Sequence, residues 1–416
     1  MQLTSASEMP RMVDSTRKRN GNSESHNTSD SDKNHANRCE MIVATEDLVP
    51  GDDNYVLALC GTQHEPEFRL CAAMSDYSCI VYNVNEGLSK LMSLEHNTSP
   101  IVGIKFSPSS KNILFAATRD GEITACDLRA KGKVVAEMRD GSVDSKLKPL
   151  ASFDISSDDK LIAAGTEHIG GDAFILFWDI RYSSPNNSRS DSRKNDLLGG
   201  YWESHMDDVT SLAFHSSKID VLASGSTDGL INVFDLSQSS EDSALNYSLN
   251  TESSVDRIGW LENDHLWCTT HTHCLQLWDC EDATPYGKYD RSTIAANFMH
   301  EDQDSCYVVR VHKSSSSGDP FLLAGGSTIK GEHLHGLTIN SEGMKWCTDF
   351  IGNKQLVRDS WYHAKSGCLI TGGEGGVINL WKQNEKTLIQ QNSEPKPLAK
   401  SNGKSSGRDK HRTKPY

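Results

Sequence analysis

Hydrophobic residues along this chain recur in short runs that alternate with turn signals. Two near-continuous apolar runs, Val221–Ser226 and Leu230–Phe234, are separated by Thr227-Asp228-Gly229. Such runs are typical of strands that are covered on both sides, and Asp-Gly is a strong signal for a tight hairpin. The pattern therefore predicts an all-β protein that is built from hairpins.

The hairpin pattern repeats, and each copy ends in a large apolar residue followed by an acidic or polar one. The clearest copies are FILFWDIR (Phe174–Arg181), SGSTDGLINVFDL (Ser224–Leu236), HCLQLWDC (His273–Cys280) and TGGEGGVINLWK (Thr371–Lys382). Including fainter copies, the anchor positions are Asn83, Asp127, Asp179, Asp235, Asp279, Leu337 and Lys382, with gaps of 44, 52, 56, 44, 58 and 45 residues. A repeat of roughly 40–45 residues with loop insertions is typical of β-propeller blades. We therefore predict a seven-bladed β-propeller.

The two ends of the repeat array predict how the ring closes. The last copy ends at Trp381 and is followed by a polar segment without a suitable fourth strand, whereas Met41–Thr45 is a strand-like run before the first copy. Pairing these two ends would leave only short, protected sheet edges. We therefore predict that the N-terminal strand pairs with the last blade.

Composition divides the chain into three parts. Residues 1–39 and 383–416 are polar and poor in large hydrophobic residues, so we expect disordered tails on either side of a propeller at residues 40–382. Two inserts of similar composition, Tyr182–Asn195 and Lys313–Asp319, are expected in loops. The chain has no apolar run of about 18 residues and no apolar stretch near its N-terminus, and its eleven cysteines form no CxxC pair. These features predict a soluble intracellular protein.

Charge is distributed unevenly between these parts. The net charge is −15, and because residues 1–39 carry +1 and residues 383–416 carry +5, residues 40–382 carry −21. An acidic body favours basic protein partners and disfavours nucleic acid, so specific nucleic-acid binding is not expected. The basic tail is compatible with a nuclear or nucleolar address, and we favour the nucleus over the cytoplasm.

The Trp178-Asp179 pair resembles the signature of WD40 repeats. In that family a His, a Ser or Thr, a turn Asp and a Trp form a hydrogen-bonded set within a blade. The resemblance assigns to such sets His205, Ser224 (or Ser226) and Asp228 in one blade, Asp172 and Trp178 in the preceding one, and Trp278 and Trp381 in later ones. Phe234 occupies the Trp position of the blade that contains His205. Longer segments, Phe153–Arg181, Glu203–Leu236, Gly325–His335 and Leu369–Trp381, resemble one particular group of WD40 proteins.

The segment Trp178–Arg181, WDIR, also resembles the WDxR box of WD40 substrate receptors of cullin-4 ubiquitin ligases. This resemblance implies that Asp179 and Arg181 contact the DDB adaptor of the ligase. The insertion Glu167–Gly171 stretches the spacing of the box, and Cys126–Arg129, CDLR, is a degraded second copy. The alternative interpretation is that Arg181 is a solvated charge at the end of a strand.

Enzyme and metal signatures are weak. His271, His273 and Cys274 lack the companion ligands of a zinc site, Gly372–Gly376 does not open a helix as a phosphate-binding loop would, and no GxSxG segment is present. We therefore expect no catalytic, metal or cofactor site and no small-molecule substrate. The sequence favours a non-enzymatic WD40 scaffold for protein–protein interactions. The two alternatives are a cullin-4 substrate receptor and a nuclear or nucleolar factor that binds basic ribosomal or ribosome-assembly proteins.

Overall fold

A computed structural model describes residues 38–51, 53–63, 67–140, 148–182, 197–262, 264–282, 284–299, 303–313, 318–329 and 331–384. Most of both predicted tails and most of the two predicted inserts lie outside these ranges. The domain boundaries placed in the tails therefore stay predictions. Within the described ranges, no helix is long and apolar enough to cross a membrane.

The chain enters the fold in β1 (Cys39–Leu48) and then forms five separate sheets of four antiparallel strands. Blade I contains β2 (Val56–Gly61), β3 (Phe68–Met74), β4 (Cys79–Val84) and β5 (Leu88–Leu94). Blade II contains β6 (Ile101–Ser107), β7 (Ser110–Thr118), β8 (Glu122–Asp127) and β9 (Lys133–Arg139). Blade III contains β10 (Leu150–Ile155), β11 (Leu161–Thr166), β12 (Ala173–Asp179) and β13 (Gly199–His205).

Blades IV and V follow the same order from inner to outer strand, and each is accompanied by a short helix. Blade IV contains β14 (Ser211–Phe214), β15 (Val221–Gly225), β16 (Leu230–Asp235) and β17 (Leu245–Asn250), with α1 (Glu241–Ala244) before its last strand. Blade V contains β18 (Val255–Trp260), β19 (His265–Thr270), β20 (Leu275–Asp279) and β21 (Gly287–Tyr289), and is followed by α2 (Arg291–Ala295).

The remaining strands form one eight-stranded sheet together with β1. They are β22 (Cys306–Lys313), β23 (Pro320–Thr328), β24 (Gly331–Asn340), β25 (Gly343–Ile351), β26 (Val357–His363), β27 (Cys368–Gly373) and β28 (Val377–Gln383). The order across this sheet is β22-β23-β24-β25-β1-β28-β27-β26. β1 pairs antiparallel with β28, from Met41 opposite Gln383 to Leu48 opposite Val377, and parallel with β25, from Cys39 opposite Thr348 to Ile42 opposite Ile351.

The prediction of an all-β propeller is confirmed, but the prediction of seven blades is wrong. The described strands form five four-stranded blades, and the other eight form a single sheet. The physical reason is that a strand has two hydrogen-bonding edges. The sequence predicts that β1 completes the last blade, but Cys39–Ile42 also pair with β25 and join both groups of strands. An apolar pattern along a strand does not indicate whether one or both of its edges are paired.

The core lies between neighbouring sheets, and the innermost strands surround a cavity of about 940 Å³. Trp178, Trp278 and Trp381 are each buried to 1% exposure or less in separate apolar clusters. Residues from β2, β6, β10, β14, β18, β22 and β26 line the cavity, so the eight-stranded sheet contributes an inner strand at each of its two ends. One side of the propeller, which we call face A, carries the loops between the second and third strands of each blade and the loops that lead to the next blade. The opposite side is face B.

Candidate protein-interaction surfaces

Blades III and IV together contribute three of the side chains that the WD40 resemblance assigns, and we call these three residues the blade IV set. His205 is at the end of β13, and its Nδ1 donates to Asp228 Oδ2 at 3.0 Å, because an ionised carboxylate can only accept. Ser224 Oγ on β15 lies 2.7 Å from His205 Nε2. Asp228 also accepts from the backbone N–H groups of Met206 and Leu230, at 3.1 and 2.9 Å. Burial raises the pKa of Asp228, but the hydrogen bond from His205 and the backbone N–H groups outweigh it and leave that pKa lowered.

The three predicted tryptophans differ in the hydrogen bond that each indole makes. Trp381 Nε1 donates to Thr371 Oγ1 at 2.8 Å, and Trp278 Nε1 donates to Gln276 Oε1 at 3.2 Å. The buried Nε1 of Trp178 has no acceptor among the described residues. Asp172 is exposed in the loop between β11 and β12, where its backbone pairs with Ile169. Blade III therefore holds Trp178 by apolar packing rather than by the polar set of blade IV.

Gln355 stabilises a turn, and no pattern in the sequence predicts this role. Its Oε1 accepts from the backbone N–H groups of Gly375 and Val377, at 3.0 and 3.3 Å, and its Nε2 donates to Val377 O at 2.7 Å. It thereby stabilises a hairpin whose turn has Gly375 in place of the family Asp. The absence of Asp from this turn indicates that another group must bind its backbone N–H groups. No local pattern identifies that group as a glutamine twenty residues earlier.

Asp179 and Arg181 lie on face B, at the end of β12, and contact each other. Arg181 Nε and Nη2 donate to the two carboxylate oxygens of Asp179 at 3.0 and 2.6 Å, and the Arg181 backbone N–H also donates to Oδ1. The side-chain hydrogen bond from Arg181 lowers the pKa of Asp179. Arg181 remains 60% exposed. Blade II repeats this arrangement with Asp127 and Arg129, at 3.1 and 2.8 Å, so the fork is not unique to the WDIR segment.

Blades III and IV form an acidic patch on face A. The loop between β11 and β12 contacts the loop between β13 and β14, because His168 N donates to Asp208 Oδ1 at 2.6 Å. Met206 is 73% exposed and Ile169 37% exposed in these loops. The acidic patch consists of Glu167, Ile169, Asp172, Met206, Asp207 and Asp208. It combines exposed apolar groups with carboxylates, and Arg119 pairs with Glu167 beside it.

A cluster of charges lies in the cavity, where strands from distant parts of the chain meet. Asp359 on β26 is 2% exposed, and its Oδ1 accepts from Arg257 Nη1 at 2.7 Å. Arg310 Nη1 forms an ion pair with the same oxygen at 3.2 Å. Its Oδ2 accepts from the Leu59 backbone N–H at 2.7 Å. Burial raises the pKa of Asp359, and the two guanidiniums outweigh burial and lower it. Lys105 forms a further ion pair with Asp154.

The residues considered for zinc lie on face A between β19 and β20. His271 is 4.0 Å from a carboxylate oxygen of Asp256, and His273 Nδ1 accepts from the Val308 backbone N–H at 3.5 Å. The described part of the chain contains no group of three or more His, Cys, Asp or Glu side chains arranged to hold a metal ion. Gly372–Gly376 run from the end of β27 through the turn that leads to β28, and Gly376 has a positive φ of 67°.

Comparisons with known proteins agree with the repeat pattern. An uncharacterized WD repeat-containing protein of Saccharomyces cerevisiae is 26% identical over 352 residues, covering 81% of each chain. The WD repeat-containing protein GTS1 of Arabidopsis thaliana is 27% identical and covers 67% of this chain and 68% of its own length. The WD repeat-containing protein 89 homolog of Dictyostelium discoideum is 24% identical over 348 residues, covering 82% of this chain and 87% of its own.

The last of these relatives bears the name of WD repeat-containing protein 89, the group that the segments around Phe153–Arg181 resemble, so that resemblance is confirmed. The family model described as nucleolar protein 10-like, N-terminal domain, matches residues 100–316, just over half of the chain. The matched region runs from the start of blade II into the eight-stranded sheet. The chain therefore belongs to the β-propeller family described as nucleolar protein 10-like, N-terminal domain, and its relatives are WD repeat proteins.

Proposed function

We propose that this protein is a non-enzymatic scaffold whose acidic patch binds a basic segment of another protein. The observation that supports this most strongly is the exposure of Met206 and Ile169 among Glu167, Asp172, Asp207 and Asp208. Exposed apolar residues with a polar rim are typical of protein–protein interaction sites. A methionine adapts its shape to a partner, while the carboxylates select for positive charge.

The loops that form the acidic patch are held in place by hydrogen bonds. Besides the bond between His168 and Asp208, the Val209 backbone N–H donates to Thr166 O at 3.0 Å, and the Thr227 backbone N–H donates to Asp208 O at 3.0 Å. These bonds join the loops of blades III and IV. A partner therefore binds a surface that is already formed, which lowers the entropy lost on association.

The nucleus or nucleolus is the setting that we propose, with basic ribosomal or ribosome-assembly proteins as partners. Two features support it: the net charge of −21 on residues 40–382, and membership of a family described as nucleolar protein 10-like. An acidic surface selects such basic partners over nucleic acid, whose phosphates it repels. Imaging of the tagged full-length protein tests the location, and exclusion from the nucleus would contradict it.

The test of the acidic patch is a charge reversal with a matched control. Asp207→Lys changes an exposed carboxylate in the patch, and Asp242→Lys makes the same change in α1, which lies in a face B loop. Proteins that co-purify with the tagged full-length protein are identified by mass spectrometry, and their binding is compared between variants. We expect Asp207→Lys to weaken capture of basic partners about tenfold, because attraction becomes repulsion. Equal effects of the two variants would contradict the assignment.

Salt dependence gives a second readout of the same proposal. Charge-driven capture should weaken steeply as ionic strength rises, because the screening length shortens from about 10 Å at 0.1 M to about 3 Å at 1 M. Capture of the same partners without loss in high salt would indicate an interface that does not depend on the carboxylates.

A second candidate function is that of a cullin-4 substrate receptor, in which Arg181 contacts the DDB adaptor. The specific observation in its favour is that Asp179 orients an Arg181 side chain that is still 60% exposed on face B. Arg181→Ala should abolish co-purification of the adaptor, while Arg129→Ala, which removes the equivalent fork from blade II, should not. Absence of the adaptor from the wild-type preparation, or equal loss in both variants, would exclude this role for Arg181.

A further inference from the structure

The cavity between the inner strands differs in charge from the rest of the propeller segment. Residues 40–382 carry a net charge of −21, yet the described cavity lining has four cationic side chains and three carboxylates. The cations are Lys105, Arg257, Arg310 and Lys313, and the carboxylates are Asp154, Asp256 and Asp359. This excess of one positive charge inside an acidic protein favours an anionic ligand over a cationic one.

The arginines have hydrogen-bonding capacity that the protein does not use. Arg310 Nη1 is shared between Asp359 Oδ1 and Ser360 O, both at 3.2 Å. Among the described residues, Arg310 Nε and Nη2 and Arg257 Nε have no hydrogen-bond acceptor. Both side chains are partly exposed to the cavity, Arg257 to 26% and Arg310 to 31%. A guanidinium presents several donors in one plane, which matches the oxygens of a carboxylate or phosphate group.

The charges around Arg310 comprise two guanidiniums and two carboxylates, of which Asp359 is within ion-pair distance and Asp256 is farther away. Two guanidiniums share one carboxylate oxygen of Asp359, and Lys105 is already paired with Asp154. Burial lowers the pKa of Arg310, and the attraction of Asp359 does not restore it. An additional anion beside Arg310 would relieve this burial cost, because opposite charges stabilise one another strongly where water is partly excluded.

We propose that the cavity binds a small molecule with carboxylate or phosphate groups, and that Arg310 and Arg257 hold these oxyanions. The volume of about 940 Å³ fits a small-molecule ligand, since such sites usually measure about 300–1,000 Å³. Its wall also provides the Trp361 ring and the Thr62 and Ser211 hydroxyls for the rest of the molecule. This site is separate from the acidic patch, and neither proposal depends on the other.

The test uses the full-length protein with citrate and pyrophosphate as probes. Isothermal titration against each probe, at ionic strength matched with sodium chloride, should give saturable binding at one site per chain. Tighter binding of citrate identifies carboxylates as the preferred groups, and tighter binding of pyrophosphate identifies phosphates. Absence of saturable binding by both probes would overturn the proposal.

Two variants assign the binding to the cavity. Arg310→Gln should weaken the better probe about tenfold or more, because a charge-assisted hydrogen bond is lost while Asp359 keeps Arg257 as its partner. Arg358→Gln is the matched control, because Arg358 is on the same strand as Asp359 but pairs with Glu374 outside the cavity. Equal weakening by both variants would overturn the assignment. If Arg310→Gln does not fold, Arg310→Lys takes its place, because lysine keeps the positive charge but lacks the planar guanidinium. Unchanged affinity of Arg310→Lys for the better probe would exclude recognition by the guanidinium.

Discussion

Two buried histidines, His205 and His312, each lie beside a serine hydroxyl. Their charged neighbours differ: a carboxylate lies next to His205, and mainly guanidiniums lie next to His312. His205 Nε2 lies 2.7 Å from Ser224 Oγ, and its Nδ1 donates to the Asp228 carboxylate. His312 Nε2 lies 2.8 Å from Ser360 Oγ, close to the guanidiniums of Arg310 and Arg257. Burial and these cations lower the pKa of His312 to about 3. The same His–Ser pair therefore lies beside a carboxylate where blades III and IV meet, and beside two guanidiniums and the Asp359 carboxylate where β22 and β26 meet.

The difference indicates that the charge cluster in the cavity depends more on Asp359 than the blade IV set depends on Asp228. Both cavity arginines form ion pairs with Asp359, and this carboxylate is almost completely buried. Asp228 has one histidine and two backbone donors as partners, and none of these is a fixed cation. Removing the carboxylate leaves two charges unpaired in the first case and only neutral donors unpaired in the second.

The largest effect is expected from Asp359→Ala. Breaking a buried ion pair leaves uncompensated charge, and because the arginines are partly exposed we expect the lower end of the usual range, a loss of about 3 kcal/mol in the free energy of unfolding. Urea denaturation followed by fluorescence measures it. A loss below about 1 kcal/mol would mean that solvent in the cavity compensates the arginines, and the contrast with Asp228 would disappear.

A smaller effect is expected from acidification, through His312. Because its folded-state pKa is about 3 and its unfolded pKa is about 6.5, only the unfolded state takes up the proton as the pH falls through 6.5. This histidine should therefore lower the free energy of unfolding by about 2 kcal/mol between pH 7.5 and pH 5. His312→Gln should remove that share of the pH dependence. An unchanged pH dependence in the variant would show that His312 does not resist protonation.

The smallest of the three effects is expected from Asp228→Asn. The carboxylate has a lowered pKa in the folded state, so its contribution is present at neutral pH and is lost as the pH falls below about 4. We expect a loss of about 1.5 kcal/mol at pH 7, the lower end of the usual range for a hydrogen bond to a charged group, and a smaller difference from wild type near pH 3. Equal losses in the free energy of unfolding at both pH values would mean that the carboxylate charge of Asp228 is not the cause.

A sequence pattern predicts contacts best between residues that lie close together in the chain. His205, Ser224 and Asp228 are within 24 residues of one another and match a family motif, and the hairpins were indicated by turns such as Thr227-Asp228-Gly229. The cluster of Arg257, Arg310 and Asp359 was missed, because its members lie on β18, β22 and β26, up to 102 residues apart. No local pattern records which side chains meet when a ring of strands closes. The blade count failed for the related reason that β1 pairs on both of its edges.

The two partners of β1 also determine when this protein can complete its fold during synthesis. Cys39–Leu48 leave the ribosome before both partners, since β25 and β28 end only at Ile351 and Gln383. At translation rates of about 5–20 residues per second, the intervening chain takes on the order of 15–70 seconds to appear. Throughout that interval β1 presents two unpaired backbone edges, which are templates for aggregation. Among the described strands, β1 therefore waits longest for its hydrogen-bonding partners, because both of them follow it by about 300 residues.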